Sequence, residues 1–234
     1  MVDHTVRSFD TDLETLDRHI SEMGGIAEKM LSDAMDALAT MNVDLAKRVV
    51  ETDMRLDNLQ RMIEDLAVRT LARRQPVAID LRDVVGVIRI SADLERIGDQ
   101  AKNIAKRAAK IAGEARLPRA VIGLKSMHEL AANQLKDVLD AYAQRDADRA
   151  KLVWERDAEL DALEDSVFRD LLTFMMEDPR NITFCTHLLF CSKNLERVGD
   201  HATNIAETVV YIATGETLAS EDRPRGAEAA AMLP

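Results

Sequence analysis

The chain has 234 residues, a formal net charge of −11 and 47 % hydrophobic residues, with aromatics at only 3 %. That length fits one large domain or two small ones. The acidic balance excludes a phosphate-backbone partner, since nucleic-acid binders carry a basic face; it suits cations or a basic partner surface instead. With five Pro and nine Gly in the whole chain, long helices are favoured over a turn-rich β protein.

The amino terminus, MVDHTVRSFDTDLE, is polar and acidic and does not read as a secretory signal. No apolar run approaches the roughly 20 residues of a membrane span. A cytoplasmic protein is expected, with any membrane role exerted through a partner. A first helix is predicted through Ile20, Met23, Ala27, Met30, Leu31, Ala34 and Leu38, where apolar residues recur at helical spacing. A break follows near Met41 to Val43, with Asn42 or Asp44 as cap. Leu45, Val49, Leu56, Leu59, Ile63 and Leu66 carry a second helix to about Arg73. Gln75 and Pro76 stop it, because proline removes a donor and restricts the residue before it. Asp80 opens a third helix through Val84, Val87, Leu94, Ile97, Ala101, Ile104 and Ala108, which Gly113 ends. Pro118 marks the next start.

The second half repeats the plan. Ser91 to Ala105 reads SADLERIGDQAKNIA and Ser192 to Ala206 reads SKNLERVGDHATNIA, an offset of 101 residues. An offset of 104 carries Met23, Ala27, Leu31 and Met35 onto Met127, Ala131, Leu135 and Leu139. It also carries Ala46, Lys47, Glu51, Asp53, Leu56 and Asp57 onto Ala150, Lys151, Glu155, Asp157, Leu160 and Asp161. The expected fold class is therefore all-α. Two tandem pseudo-symmetric three-helix bundles would span residues 1–113 and 118–215, with six long antiparallel helices. A single six-helix stack is the alternative. The sixth helix ends near Gly215, and residues 216–234, which lack an apolar stripe, are expected to be disordered. Cys185 and Cys191 lie too far apart on one helix to bridge and read as small buried apolar residues of a reducing compartment.

Each half carries two acidic i,i+4 pairs: Asp53/Asp57 with Glu95/Asp99, and Asp157/Asp161 with Glu196/Asp200. Residues four apart share a helix face. If helices two and three fold back at Pro76, residues whose numbers sum to 152 lie level, which pairs Asp53 with Asp99 and Asp57 with Glu95. In the second half the matching sum is 357 and the turn is centred on Asp178 and Pro179. Four carboxylates at one height repel, and a cation would relieve them; oxygen donors suit Mg²⁺, Mn²⁺, Ca²⁺ or iron. On a helical wheel Glu95 and Asp99 sit away from the apolar stripe of Leu94, Ile97, Ala101 and Ala105, beside Ser91, Lys102 and Asn103. Two readings are open, a solvated acidic face and a surface cation site. Asn103 and Asn204 extend the stripe as possible secondary ligands or as partners of a carboxylate. Gly98 and Gly199, beside the carboxylates, fit either close helix packing or ligand approach. Arg96 and Arg197 are expected to point off the acidic face. His201 replaces Gln100, and its bearing from Asp200 makes it a poor co-ligand. Glu207 replaces Lys106, which makes the second cluster the stronger cation candidate, with Glu207 as a further secondary ligand.

Enzyme readings are poorly supported. A ferritin-like di-iron site needs Glu-x-x-His pairs, and Gly98 and Gly199 stand at the histidine positions. No nucleophile motif, phosphate loop or dinucleotide fingerprint is present.

LERIGDQAKNIA and LERVGDHATNIA, the upstream ETDMRLD and ERDAELD, and the three-plus-three plan together resemble the PhoU family of bacterial phosphate-signalling accessory proteins. The resemblance covers nearly the whole chain except its termini. It implies two three-helix bundles, a non-enzymatic role, and metal ions (Mg, Mn, Fe or Zn) on the bundle surface. Glu95, Asp99, Glu196 and Asp200 would be ligands, with Asp53, Asp57, Asp157 and Asp161 beside them. It implies a cytoplasmic, often dimeric protein that links the ATPase subunit of a phosphate ABC transporter to a phosphate-sensing histidine kinase and represses phosphate-starvation genes. The alternatives are a metal-dependent enzyme or metal store, and an accessory subunit of a different phosphate transporter. Gln100 departs from the histidine more usual at that place in the family motif, so the two halves need not use metal alike.

Overall fold

The structure, a computed structural model, describes residues 2–114 and 118–218. Among the described residues it is helical and has no strand. The first half is α1 (Val2–Thr40), α2 (Val43–Arg74) and α3 (Ala78–Ile111). The second is α4 (Pro118–Gln144), α5 (Ala147–Glu155), α6 (Asp157–Glu177) and α7 (Ile182–Thr214). α1 starts well before the predicted first apolar residue. α5 and α6 together hold the place of α2, so the plan is three plus three with one helix interrupted. The predicted tail lies outside the described residues from 219 onward.

The turns follow local chemistry. Asn42 caps α2 by accepting from the Leu45 amide, and Asp146 caps α5 by accepting from the Arg149 amide. The residues before these caps, Met41 and Arg145, take positive φ and close the preceding helices. Gln75 ends α2 in a left-handed conformation. Gly215 ends α7 at φ 81, where an L side chain would be strained. Asp178 ends α6, and Pro179–Asn181 forms one 3₁₀ turn before α7.

The core is aliphatic, with Leu16, Ile20, Met23, Leu56, Ile63, Leu94, Ile97, Leu135 and Leu195 fully buried. α1, α2 and α3 pack on one another, as do α4, α5/α6 and α7. The broadest helix contact of all joins the halves, α3 against α7. These two run antiparallel. Arg107 lies 3.5 Å from His187 and stacks on Phe190, whereas near the other end Arg89 stacks on Tyr211. Both cysteines are free and buried, and burial pushes the Cys191 thiol up to about 12, so neither is a reactive thiolate.

The corner where the end of α4 meets α1 is charged, and Arg145 just past α4 reaches across to α3. Tyr142 donates its hydroxyl to Asp17, and Arg145 lies 3.1 Å from both Asp17 and Asp83. Burial, opposed by Arg145, raises the Asp83 carboxyl above its ordinary value. The repeat-equivalent positions at the opposite corner are Leu38, Met41, Val121 and Phe184, all apolar.

Candidate cation-binding faces

The hairpin arithmetic places the first cluster correctly. Lys102 Nζ sits 2.6 Å from Asp53 Oδ2 and 2.5 Å from Asp99 Oδ1, so one ammonium spans α2 and α3 and holds those carboxylates level. Asp53 is only 7 % exposed. A carboxylate that deep needs a cation or several donors, and Lys102 is that cation. The two bonded carboxylates raise the Lys102 pKa against the desolvation that would lower it. Glu95 completes the group. Burial first, then Asp99, Asp57 and Asp53, raise its carboxyl, while Arg96 opposes them. Arg96 does not point away as expected: its guanidinium bends back to 3.6 Å from both Glu95 and Asp99.

The second cluster is built differently. Thr203 stands where Lys102 stands. Its hydroxyl donates to Asp157 Oδ1 at 3.0 Å and also lies 3.0 Å from the Gly199 carbonyl. Asp157 is likewise 7 % exposed, and a neutral hydroxyl donates here where an ammonium donates there. Lys193, which is exposed, enters from the other end to reach Glu196 at 2.6 Å. Glu164, on α6, joins the acidic side. Burial and then Glu196, Asp165 and Asp161 raise its carboxyl, with Lys193 opposing. Glu164 and Lys193 themselves obey the sum of 357. The Oε2 atom of Glu196 is buried and has no hydrogen-bond partner.

The polar-flank placement therefore needs correction for Asp53 and Asp157, which are buried between helices. It holds for Asp161, which is exposed, while Asp57, Glu95, Asp99, Glu196 and Asp200 are half-buried. Gly98 and Gly199 are explained by packing. A Cβ would come 2.6 Å from Leu56 Cδ2 at Gly98 and 2.5 Å from Leu160 Cδ2 at Gly199. His201 Nδ1 lies 3.0 Å from Asp93 Oδ1, and Asn204 donates to the same oxygen at 3.3 Å, so both tie α7 to α3. Glu207 accepts from the Trp154 indole at 3.0 Å.

The interruption between α5 and α6 falls at Arg156, directly before Asp157. The buried Gln134 donates to the Arg156 carbonyl at 3.0 Å, an oxygen that also accepts from the Glu159 amide at 3.1 Å, and so ties α4 to the break. Its first-half counterpart is Met30, which offers no such bond.

As tests of fit, the two faces differ. In the first, Lys102 occupies the space between Asp53 and Asp99, so a metal there would compete with a covalently tethered cation. In the second, oxygen donors dominate and one buried carboxylate oxygen is unpartnered, which fits a hard cation. Among the described residues, no three His, Cys, Asp or Glu side chains are gathered to hold a metal as they stand. A cation on the second face would have to draw Glu196 from Lys193.

The description "PhoU domain" matches twice, over residues 20–108 and 124–209. The chain belongs to the PhoU family. A PhoU homologue of Rhizobium meliloti (strain 1021), named a phosphate-specific transport system accessory protein, is 55 % identical over 213 residues, 91 % of this chain and 90 % of that protein. One of Caulobacter vibrioides with the same description is 49 % identical over 225 residues, covering 96 % and 97 %. The crystal structure of PhoU from Pseudomonas aeruginosa superposes with a TM-score of 0.86 at 39 % identity, covering 89 % of this chain and 100 % of that one. The phosphate transport system regulatory protein PhoU from Streptococcus pneumoniae gives 0.83 at 28 % identity, covering 90 % and 99 %. Both comparisons agree with the all-α, doubled three-helix plan of the PhoU fold.

Within that PhoU frame, the roles of three residues in these faces escaped the sequence reading. Lys102 was visible as a polar neighbour, but only the hairpin geometry shows it reaching across to Asp53. Glu164 has no acidic counterpart in the first half, where Gln60 stands, so a search for repeated acids passes over it. Gln134 has no repeated counterpart to single it out, and the backbone break it bonds to is marked by no proline or glycine.

Proposed function

We propose that this chain is a non-enzymatic accessory and regulatory protein of a phosphate transport system. It links the ATPase subunit of a phosphate ABC transporter to a phosphate-sensing histidine kinase and represses phosphate-starvation genes when phosphate is plentiful. Relatives named for the phosphate-specific transport system, matched over more than nine-tenths of this chain, carry this reading. A doubled rigid scaffold with two charged faces suits an adaptor for two partners. Among the described residues no helix is long and apolar enough to cross a membrane, so contact with membrane partners would be made from a cytoplasmic position. A homodimer is part of the proposal, and sedimentation of the purified chain tests it.

The cation site belongs to the second face. Asp157, Asp161, Glu196 and Asp200 would hold a divalent or iron-type ion, with Glu164 as a further donor and Asn204 and Glu207 committed to protein contacts. The first face, Asp53, Asp57, Glu95 and Asp99 with Asn103 nearby, would be held mainly by Lys102. A bound ion would supply fixed positive charge and cross-link α6 to α7. The chain's own contribution is the dry floor under Asp157 and Thr203 and the orientation of Glu196.

The deciding experiment is affinity capture from phosphate-replete cells, with wild type and with Glu196→Ala/Asp200→Ala. Recovery of the transporter ATPase and the kinase with wild type is expected. Absence of both from wild type would sink the adaptor reading, and metal-dependent turnover by the purified protein would favour an enzyme.

A further inference from the structure

An open groove of about 360 Å³ runs between α2 and α3, roughly one turn from Asp53 and Lys102. Its floor is Ala46, Val50, Ala105 and Ala109. Its rim carries Lys47, Lys106 and Lys110, with Glu51 as the one acid. All four rim residues are exposed. Among the described residues, no carboxylate is ion-paired with Lys106 or Lys110, and Lys47 comes no closer than 4.0 Å to Asp44. A cluster of lysines around an apolar floor is unusual on a chain of net charge −11.

The second half shows what such a groove accepts. At the equivalent positions Val50 becomes Trp154, Lys106 becomes Glu207, Ala109 becomes Val210 and Lys110 becomes Tyr211. Trp154 is 6 % exposed and donates its indole N–H to Glu207 on the facing helix at 3.0 Å. The same frame is thus closed in one bundle by an aromatic ring beside a carboxylate. In the other it is left open, small-floored and positively rimmed.

We propose that the groove between α2 and α3 is a docking site for an acidic segment of a partner protein, which lays one aromatic side chain on the alanine floor and sets its carboxylates against Lys106 and Lys110. The aromatic ring supplies area, since one such side chain buries about 150–250 Å². The lysines supply sign and steering, so a basic segment is rejected. The floor is apolar and Glu51 stands on the rim, which disfavours a bare phosphate. The groove shares no residue with either carboxylate face, so this docking and the transporter reading fail separately.

The test uses the ¹⁵N-labelled full chain titrated with the peptide Asp-Glu-Trp-Glu-Asp, with Asp-Glu-Ala-Glu-Asp as control. The expected result is amide shifts centred on residues 46–51 and 105–110, with a midpoint at least tenfold lower for the tryptophan peptide. Val50→Trp/Lys106→Glu, which rebuilds the second-half arrangement from within, should abolish the response. Lys106→Glu alone, a surface change that leaves the core untouched, should weaken it at least tenfold, and added salt should weaken it further. Equal midpoints for the two peptides, no shift at the groove, or full binding by Lys106→Glu overturns the proposal. So does inorganic phosphate competing the peptide away at equal concentration, or a dimer that Val50→Trp/Lys106→Glu dissociates, which would make the groove a contact between copies.

Discussion

The two acidic faces come from one repeated plan, yet each meets its buried aspartate in a different currency. The first half answers Asp53 with a charge, Lys102, fixed three residues from Asp99. The second meets Asp157 with a hydroxyl, Thr203, and has an exposed Lys193 on Glu196 at the rim. A tethered ammonium satisfies carboxylates permanently. A hydroxyl donates a hydrogen bond but adds no charge of its own. Duplication thus produced two faces whose buried aspartates meet donors of different charge.

The largest expected effect breaks that difference directly. Lys102→Met leaves Asp53 nearly buried and unpaired, and should lower stability by about 3 kcal/mol in chemical denaturation. A loss near zero would mean Lys102 is not what holds the first face. Lys102→Thr copies the second half, and Mn²⁺ or Mg²⁺ should then raise its melting temperature more than that of wild type. The reciprocal Thr203→Lys should abolish any metal-dependent stabilisation that the wild type shows.

A smaller effect, about 1–2 kcal/mol, is expected for Gln134→Met, which removes the donor to the Arg156 carbonyl. Hydrogen exchange should then rise around residues 153–159 and stay unchanged around 49–55. Similar changes in both stretches would deny the break any special role.

The pH response sharpens the comparison further. Burial and the neighbouring carboxylates raise the Glu95 carboxyl in the folded state. Ionised Glu95 therefore works against the fold. The penalty is absent below the unfolded carboxylate range and is complete once pH has climbed past the raised folded value. Glu95→Gln should raise the melting temperature at neutral pH and leave it unchanged near pH ~3, below the carboxylate range. Equal gains at both pH values would exclude a charge origin. The smallest contrast is between glycines. Gly98→Ala and Gly199→Ala both press a leucine methyl, but only at Gly199 would the new Cβ also lie 3.2 Å from Gln134 Oε1. Gly199→Ala should be the costlier by up to about 1 kcal/mol, the helix gain of alanine partly offsetting both.

Most of the architecture was legible because helical periodicity and the repeat reinforce each other. Asn42, Pro118, Asp178 and Gly215 act at element ends as their chemistry predicts, while Gln75 ends α2 in a left-handed turn rather than the extended backbone favoured before proline. The level of Asp53 with Asp99 was legible too, since antiparallel hairpins convert numbering into height. Which way a long side chain bends was not. A wheel puts Lys102 and Arg96 on bearings, but four or five rotatable bonds carry Lys102 to α2 and fold Arg96 back over Glu95. The break at Arg156 was hidden because no proline or glycine marks it, and the Gln134 side chain that bonds there lies on another helix. The long-range pairing of Asp93 with His201 and Asn204 was equally hidden, since a wheel shows one helix and not the bundle it leans on.

The antiparallel seam of α3 against α7 has a consequence for the chain as an object. Each half donates the corresponding helix to it, about a pseudo-dyad, so neither half could leave that face in water. The protein is in effect a dimer whose subunits have been joined end to end. Cut between Glu114 and Pro118, the two fragments should not behave as independent domains. They should seek each other and restore one cooperative unfolding transition when mixed.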